Sequence, residues 1–148
     1  MYKRILAATD GSSLSTKAVR AACDLAAALG AQVTIVHVLP KFVQAYFGSS
    51  NDASPTSEIE KMERSLEQKV QKSLDVLVRS ANAKQVDVKT IIIKSYLVSD
   101  AILKVARKSN IDLIVMASHG RHGLKRLLLG SETLQVLTHS DIPVLVVR

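Results

Sequence analysis

The sequence predicts an α/β fold: a three-layer, doubly wound, five-stranded parallel sheet with helices on both faces. Strand-like and helix-like segments alternate along the chain in the order β-α-β-α-β-α-β-α-β, the pattern of successive right-handed β-α-β units. The strand-like segments are near-continuous apolar runs, as expected of strands buried on both faces. The length of 148 residues, 47% of them hydrophobic, suits one domain over residues 1–148 with a sizeable core. Strand order 3-2-1-4-5 is assumed from the fold type, because periodicity does not reveal which strands are neighbours.

Each element has a local reason. Arg4-Ile5-Leu6-Ala7-Ala8-Thr9 is a short apolar run ended by Asp10-Gly11-Ser12-Ser13, a strand followed by a turn and a helix cap. Ala18, Val19, Ala22, Leu25, Ala26 and Leu29 recur at three- and four-residue spacing, and Gly30 supplies a left-handed stop. Gln32 to Leu39 is rich in β-branched residues and ends at Pro40, which fits a second strand. Lys41 to Ser54 has no period and reads as a surface loop able to act as a lid.

Pro55 and a Ser57-x-x-Glu60 capping box then open a long amphipathic helix with Ile59, Met62, Leu66, Val70, Leu74, Leu77 and Ala81 on one face. Val86 to Ile93 is the third strand. Ser99 is expected to cap a helix carrying Ile102, Val105 and Ala106, and Ile111 to Met116 makes the fourth strand. The last helix carries Leu134 and Leu137, and Val144 to Val147 is the last strand.

Composition narrows the function classes. No apolar run approaches the roughly 20 residues that span a bilayer, and Met1-Tyr2-Lys3-Arg4 leads into a strand instead of a signal-peptide core. A soluble, cytoplasmic protein is expected. The lone Cys23 falls on an apolar helix face, which excludes an intrachain disulfide or a Cys-based zinc site and suits buried filler. A net charge of +7 would suit an anionic partner, yet there is no tryptophan, aromatics make up 3% of the chain, and no compact Lys/Arg block appears. The stacking platforms of single-strand binders are missing, which argues against nucleic acid.

Two turns carry the chemistry. Thr9-Asp10-Gly11-Ser12 closes the first strand; Ala117-Ser118-His119-Gly120 closes the fourth, with Gly130-Ser131 at the start of the last helix. In an open parallel sheet, ligands bind beyond the carboxyl ends of the strands where connections diverge to opposite faces, which for the assumed order lies between the first and fourth strands. Glycines let main-chain N–H groups approach an anion, and a helix start offers unpaired donors. Asp10 as a mere helix cap and Gly130-Ser131 as an ordinary helix start are the bland alternatives. A Ser118–His119 nucleophile pair is disfavoured, since adjacent residues rarely meet correctly and no orienting acid can be assigned. His37 suits a hydrogen-bonded structural role and His139 a helix C-terminal cation.

The ordered set running from Arg4-Ile5-Leu6-Ala7-Ala8-Thr9-Asp10 through His37-Val38 and Ala117-x-x-Gly120-x9-Gly130-Ser131 to Pro143-Val144-Leu145-Val146-Val147-Arg148 resembles the ATP-binding branch of the universal stress protein family, whose pattern is Gly-x-x-Gly-x9-Gly-Ser. Ala117 stands where the family pattern has its first glycine, and Tyr96 lies near another position where glycine is frequent. The resemblance implies the adenine nucleotide alpha hydrolase-like fold and an ATP site. Ala8, Thr9 and Asp10 would line the adenine and ribose end, and Val38 would pack on the base. Met116 and Ala117 would lie beneath the nucleotide, while Gly120, Gly130, Ser131 and Glu132 would offer main-chain amides to the phosphates. Arg121, Lys125 and Arg126 would be available to steer them. Mg²⁺ would be held mainly by phosphate oxygens. A homodimer through residues 143–147 would bury the last edge strand.

The expected function is therefore a nucleotide-dependent stress-response regulator or sensor that binds ATP, with no catalytic residue assigned. A slow ATPase and a nucleotide-free interaction module closed by Ala117 are the alternatives. An ATP-pyrophosphatase is disfavoured because Thr9-Asp10-Gly11-Ser12-Ser13-Leu14 lacks the Ser-Gly-Gly-x-Asp-Ser type of loop.

Overall fold

The computed structural model describes residues 1–41, 55–120 and 129–148. The loop expected at 41–54 lies, beyond Lys41, outside the described residues, as do Arg121, His122, Lys125 and Arg126. The elements are β1 (Arg4–Thr9), α1 (Ser13–Leu29), β2 (Gln32–Pro40), α2 (Pro55–Asn82), β3 (Val88–Ser95), α3 (Val98–Lys108), β4 (Leu113–Ala117), α4 (Ser131–His139) and β5 (Val144–Val147). The sheet has the order β3-β2-β1-β4-β5, and every pairing is parallel. The assumed order is therefore the observed one.

Side-chain alternation along β1 and β4 divides the core in two. Ile5, Ala7, Leu113, Val115 and Ala117 pack toward α1 and α2, joined by Val33 and Ile35 of β2. Leu6, Ala8, Ile114 and Met116 pack toward α3 and α4 with Val36, Ile102 and Val136. Ile5, Leu6, Ile35 and Ile114 are wholly buried, each worth roughly 1.5–3 kcal/mol of transfer free energy. Both faces of the central strands are thus covered, which explains their apolar composition.

Helix α1 starts at Ser12, whose hydroxyl accepts the Ser15 N–H, and ends at Gly30 with φ +64°, whose N–H bonds to the Ala26 carbonyl. Only glycine takes that left-handed angle without strain. Cys23 is buried in the α1–α2 layer, and burial pushes its thiol up from the usual range. It packs as a small hydrophobe.

Five local expectations are corrected. Helix α2 already runs at Pro55, so Ser57 lies inside the first turn and is not the N-cap; proline suits a first helical position because its missing N–H would have had no partner there. Strand β3 begins at Val88, after a turn in which the Val86 N–H bonds back to the Ala81 carbonyl. Ser99 does not cap α3. The Ser95 hydroxyl accepts from the Leu97 N–H and donates to the Leu97 carbonyl, folding a turn that makes Leu97 the N-cap, without a side-chain cap bond. Strand β4 runs from Leu113 to Ala117 and not from Ile111 to Met116, because the Ile111 N–H bonds back to the Ala106 carbonyl in the turn after α3. Finally, α4 buries Thr133 and Val136, while Leu134 and Leu137 are exposed.

Candidate functional site

The connection after β1 turns to α1 on one face, and the chain beyond β4 leads to α4 on the other. Between those two strand ends lies a cavity of about 410 Å³, within the size range of small-molecule sites.

One wall is the β1–α1 turn, held by its own hydroxyls. The Ser15 hydroxyl donates to the Ser12 carbonyl at 3.1 Å and receives the Asp10 N–H at 3.3 Å. With the Ser15 proton so used, the Thr9 hydroxyl is the donor in their 2.9 Å contact, while Thr9 Oγ1 accepts the Gly11 N–H at 3.1 Å. Asp10 Oδ1 accepts the Ser12 N–H at 2.9 Å, the Asx-type turn that carboxylates favour here. Gly11 has φ +79°. The turn is thus built without help from a ligand, with the Asp10 carboxylate carried into the cavity lining.

The opposite wall follows β4. The Ser118 N–H bonds to the Val147 carbonyl, and the Gly130 N–H bonds to the Ser118 carbonyl, both at 2.8 Å. This last bond joins the two glycine turns across the segment between them. Buried Thr133 adds a second tie, its hydroxyl donating to the Ala117 carbonyl at 2.9 Å. Together they set the start of α4 against the end of β4.

Space is tight around the glycine at both turns. A β-carbon on Gly120 would collide with Oδ2 of Asp10, so the two walls come within contact distance there. A β-carbon on Gly130 would stand 3.2 Å from the Cα of His119, closer than main-chain atoms normally accept.

The floor is apolar. Ala8, Val36 and Val38 contribute from β1 and β2, Met116 from β4, and Val98 and Ile102 from the first turns of α3. The rim is polar: Asp10, His119, Ser131 and Glu132. Among the described residues no group of three His, Cys, Asp or Glu side chains is arranged to hold a metal ion.

All ten positions expected to form the site line this cavity: Ala8, Thr9 and Asp10 on one side, Val38 on the floor, Met116, Ala117 and Gly120 along β4, and Gly130, Ser131 and Glu132 at α4. Arg121, Lys125 and Arg126 lie outside the described residues. One role differs from expectation. The Gly130 N–H is committed to Ser118, so this glycine supplies closeness and not a donor, leaving the N–H groups of Ser131 and Glu132 in the first turn of α4, where no intrahelical partner exists. The Glu132 side chain reaches across to α3, where Oε2 accepts the Ser99 N–H at 2.9 Å. Ala117, the departure from the family pattern, sits in the α1-facing core cluster, where its methyl group has apolar neighbours.

Sequence reasoning gave no place in the site to His119, which stands on the rim, and missed Ser15, Val36, Val98, Ile102 and Thr133 as lining residues. Ser15 alone had a local signal, three residues after a helix-capping serine; the rest reach the cavity through tertiary packing. His119 pairs with Ser118, Nδ1 to Oγ at 3.1 Å, yet no acid side chain is seen to orient the ring among the described hydrogen bonds.

The model of the universal stress protein family matches residues 1–148. Universal stress protein A homolog 1 of Coxiella burnetii is 33% identical over 146 residues, covering 99% of this chain and 96% of that protein. The solved structure of protein MJ0577 of Methanocaldococcus jannaschii is similar with a TM-score of 0.77 at 28% identity, over 99% of this chain and 96% of that one. A universal stress protein solved in complex with cAMP has a TM-score of 0.69 at 24% identity, over 99% and 97% of the two chains, a likeness of fold.

Proposed function

Since the chain belongs to the universal stress protein family, we propose that its cavity binds an adenine nucleotide, ATP together with Mg²⁺, and that the protein serves as a nucleotide-dependent regulator or sensor in the cytoplasm. The observation that carries this reading is the meeting of Asp10 and Gly120 across one cavity with an apolar floor and a helix start at its rim. A flat heterocycle suits the floor formed by Val38, Val98 and Ile102. Asp10 is a ready acceptor for ribose hydroxyls, and the N–H groups of Ser131 and Glu132, with the Ser131 hydroxyl, are donors for phosphate. Arg121, Lys125 and Arg126 are assigned to phosphate steering on sequence grounds alone.

The cavity fits a metal only as a passenger. Mg²⁺ prefers six oxygens and keeps several waters, and with no carboxylate cage among the described residues it would be held by phosphate oxygens, where its charge would lower the repulsion between them. That Ala117 closes the pocket is opposed by the cavity that remains and by the packing of its methyl group into the core.

The proposal is binding rather than turnover. Hydrolysis needs a base positioned on water, and among the described residues the imidazole at the rim, His119, has Nδ1 against Ser118. Equilibrium titration with ATP, AMP and adenosine, beside a phosphate-release assay, tests this. Saturable binding with release far slower than about 1 per second is expected; absence of binding overturns the nucleotide reading, and faster release overturns the non-catalytic one.

The same proposal includes a homodimer through residues 143–147. Strand β5 is a sheet edge, and Leu145 on it, with Leu134 and Leu137 on the adjoining α4, is 37–50% exposed. An apolar edge of this kind calls for a partner strand.

A further inference from the structure

Among the described residues, the formally charged side chains that line the cavity are both acidic, Asp10 and Glu132, although the chain as a whole carries a net charge of +7. Asp10 has a place in the nucleotide reading as a hydroxyl acceptor. Glu132 has none, because that reading uses only its main-chain N–H.

The position of its carboxylate is defined. Glu132 stands in the first turn of α4, and its Oε2 accepts the Ser99 N–H in the first turn of α3. Helix α3 begins at Leu97, which provides no side-chain cap, so the carboxylate of one helix caps the start of another. A helix N-terminus attracts anions through its unpaired donors and its dipole. Here both helix starts already have a fixed negative charge beside them, and a phosphate group approaching the α4 donors meets it.

We propose that Glu132 is a specificity-determining residue that ranks ligands of the cavity by charge: it favours adenine compounds with few phosphates, and accepts a triphosphate best when a cation neutralises it. The inference rests on the nucleotide reading. It deepens that reading by naming the ligand class. Glu132 is exposed, so water and salt weaken the repulsion, and its effect is a preference and not a veto.

The test is a set of calorimetric titrations of the whole protein and its Glu132→Gln variant with adenosine, AMP and ATP, in a metal chelator at low ionic strength. The substituted amide keeps an oxygen to accept the Ser99 N–H, so the cap survives while the charge goes. The ATP-to-adenosine affinity ratio is expected to rise about three- to tenfold in the variant, with a smaller rise for AMP, and the gain is expected to shrink in about 0.5 M salt. An unchanged or lower ratio overturns the proposal. The unaltered protein gives a reading that does not depend on the variant's folding: added Mg²⁺ is expected to raise its ATP-to-adenosine affinity ratio about threefold or more, and a ratio unmoved by Mg²⁺ overturns the assignment. If no member of the series binds either protein, the nucleotide reading itself fails, and this inference with it; binding of all three with an unmoved ratio rejects the role of Glu132 alone.

Discussion

At the scale of single residues, the site depends on what is missing from side chains as much as on what they carry. A methyl group on Gly120 would occupy the space of the Asp10 carboxylate, so Gly120→Ala must push that carboxylate aside. Adenosine affinity is expected to fall at least tenfold, about 1.4 kcal/mol, with the thermal midpoint lowered by only a few degrees; calorimetry and a melting curve check both. Ala117 makes the opposite case. Its methyl group belongs to the core, so Ala117→Gly is expected to cost about 1 kcal/mol of stability, from lost burial and added chain entropy, without raising ATP affinity. Urea unfolding beside a titration reads both effects. Asp10 and the three glycine-turn positions were legible in the sequence because turn chemistry is local, whereas the commitment of the Gly130 N–H to Ser118 was not, since it depends on how α4 returns to β4.

At the scale of elements, the starts of α3 and α4 are set by partners distant in sequence. Thr133 hydrogen-bonds the carbonyl that ends β4, sixteen residues earlier, in a buried position. Thr133→Val keeps the shape and leaves that carbonyl without this donor, at an expected cost of about 1–3 kcal/mol in urea unfolding, with weaker nucleotide binding because α4 is freed from the cavity wall. Strands β1, β2 and β5 and helix α1 were readable almost residue by residue, since burial and the Ser12 and Gly30 caps leave strong local marks, whereas β3 and β4 each begin two residues later than their apolar runs suggest. The cap of α3 was not: Ser99 has the right side chain for a cap, but the Ser95 turn and the Glu132 carboxylate, 33 residues away, take over that task. For α4, the apolar spacing of Leu134 and Leu137 pointed to a face that is exposed, because a single chain does not reveal which apolar face meets the core and which meets something else.

At the scale of the whole molecule, the parallel order β3-β2-β1-β4-β5 places the ends of β1 and β4 side by side, and the cavity follows from the divergence of their connections. Alternation of strands and helices announced the class of fold; the order of strands had to be assumed from that fold type, because pairing is a property of the sheet and not of any one strand. The same topology leaves β5 as an edge, and Leu145→Asp, placing charge on the proposed dimer seam, is expected to give a monomer by light scattering at concentrations where the unaltered chain is a dimer. A mass unaffected by the substitution, or a monomeric unaltered chain, would reject the interface.

The convergence of two sequence-distant turns on one nucleotide is tested most directly by amide chemical-shift mapping as ATP is added, with and without Mg²⁺. The account predicts saturable one-to-one shifts concentrated at Thr9, Asp10, Val38, Gly120, Ser131 and Glu132, absent from the β3 edge. Spectra that stay unchanged through millimolar ATP, or shifts that gather elsewhere on the molecule, would contradict it.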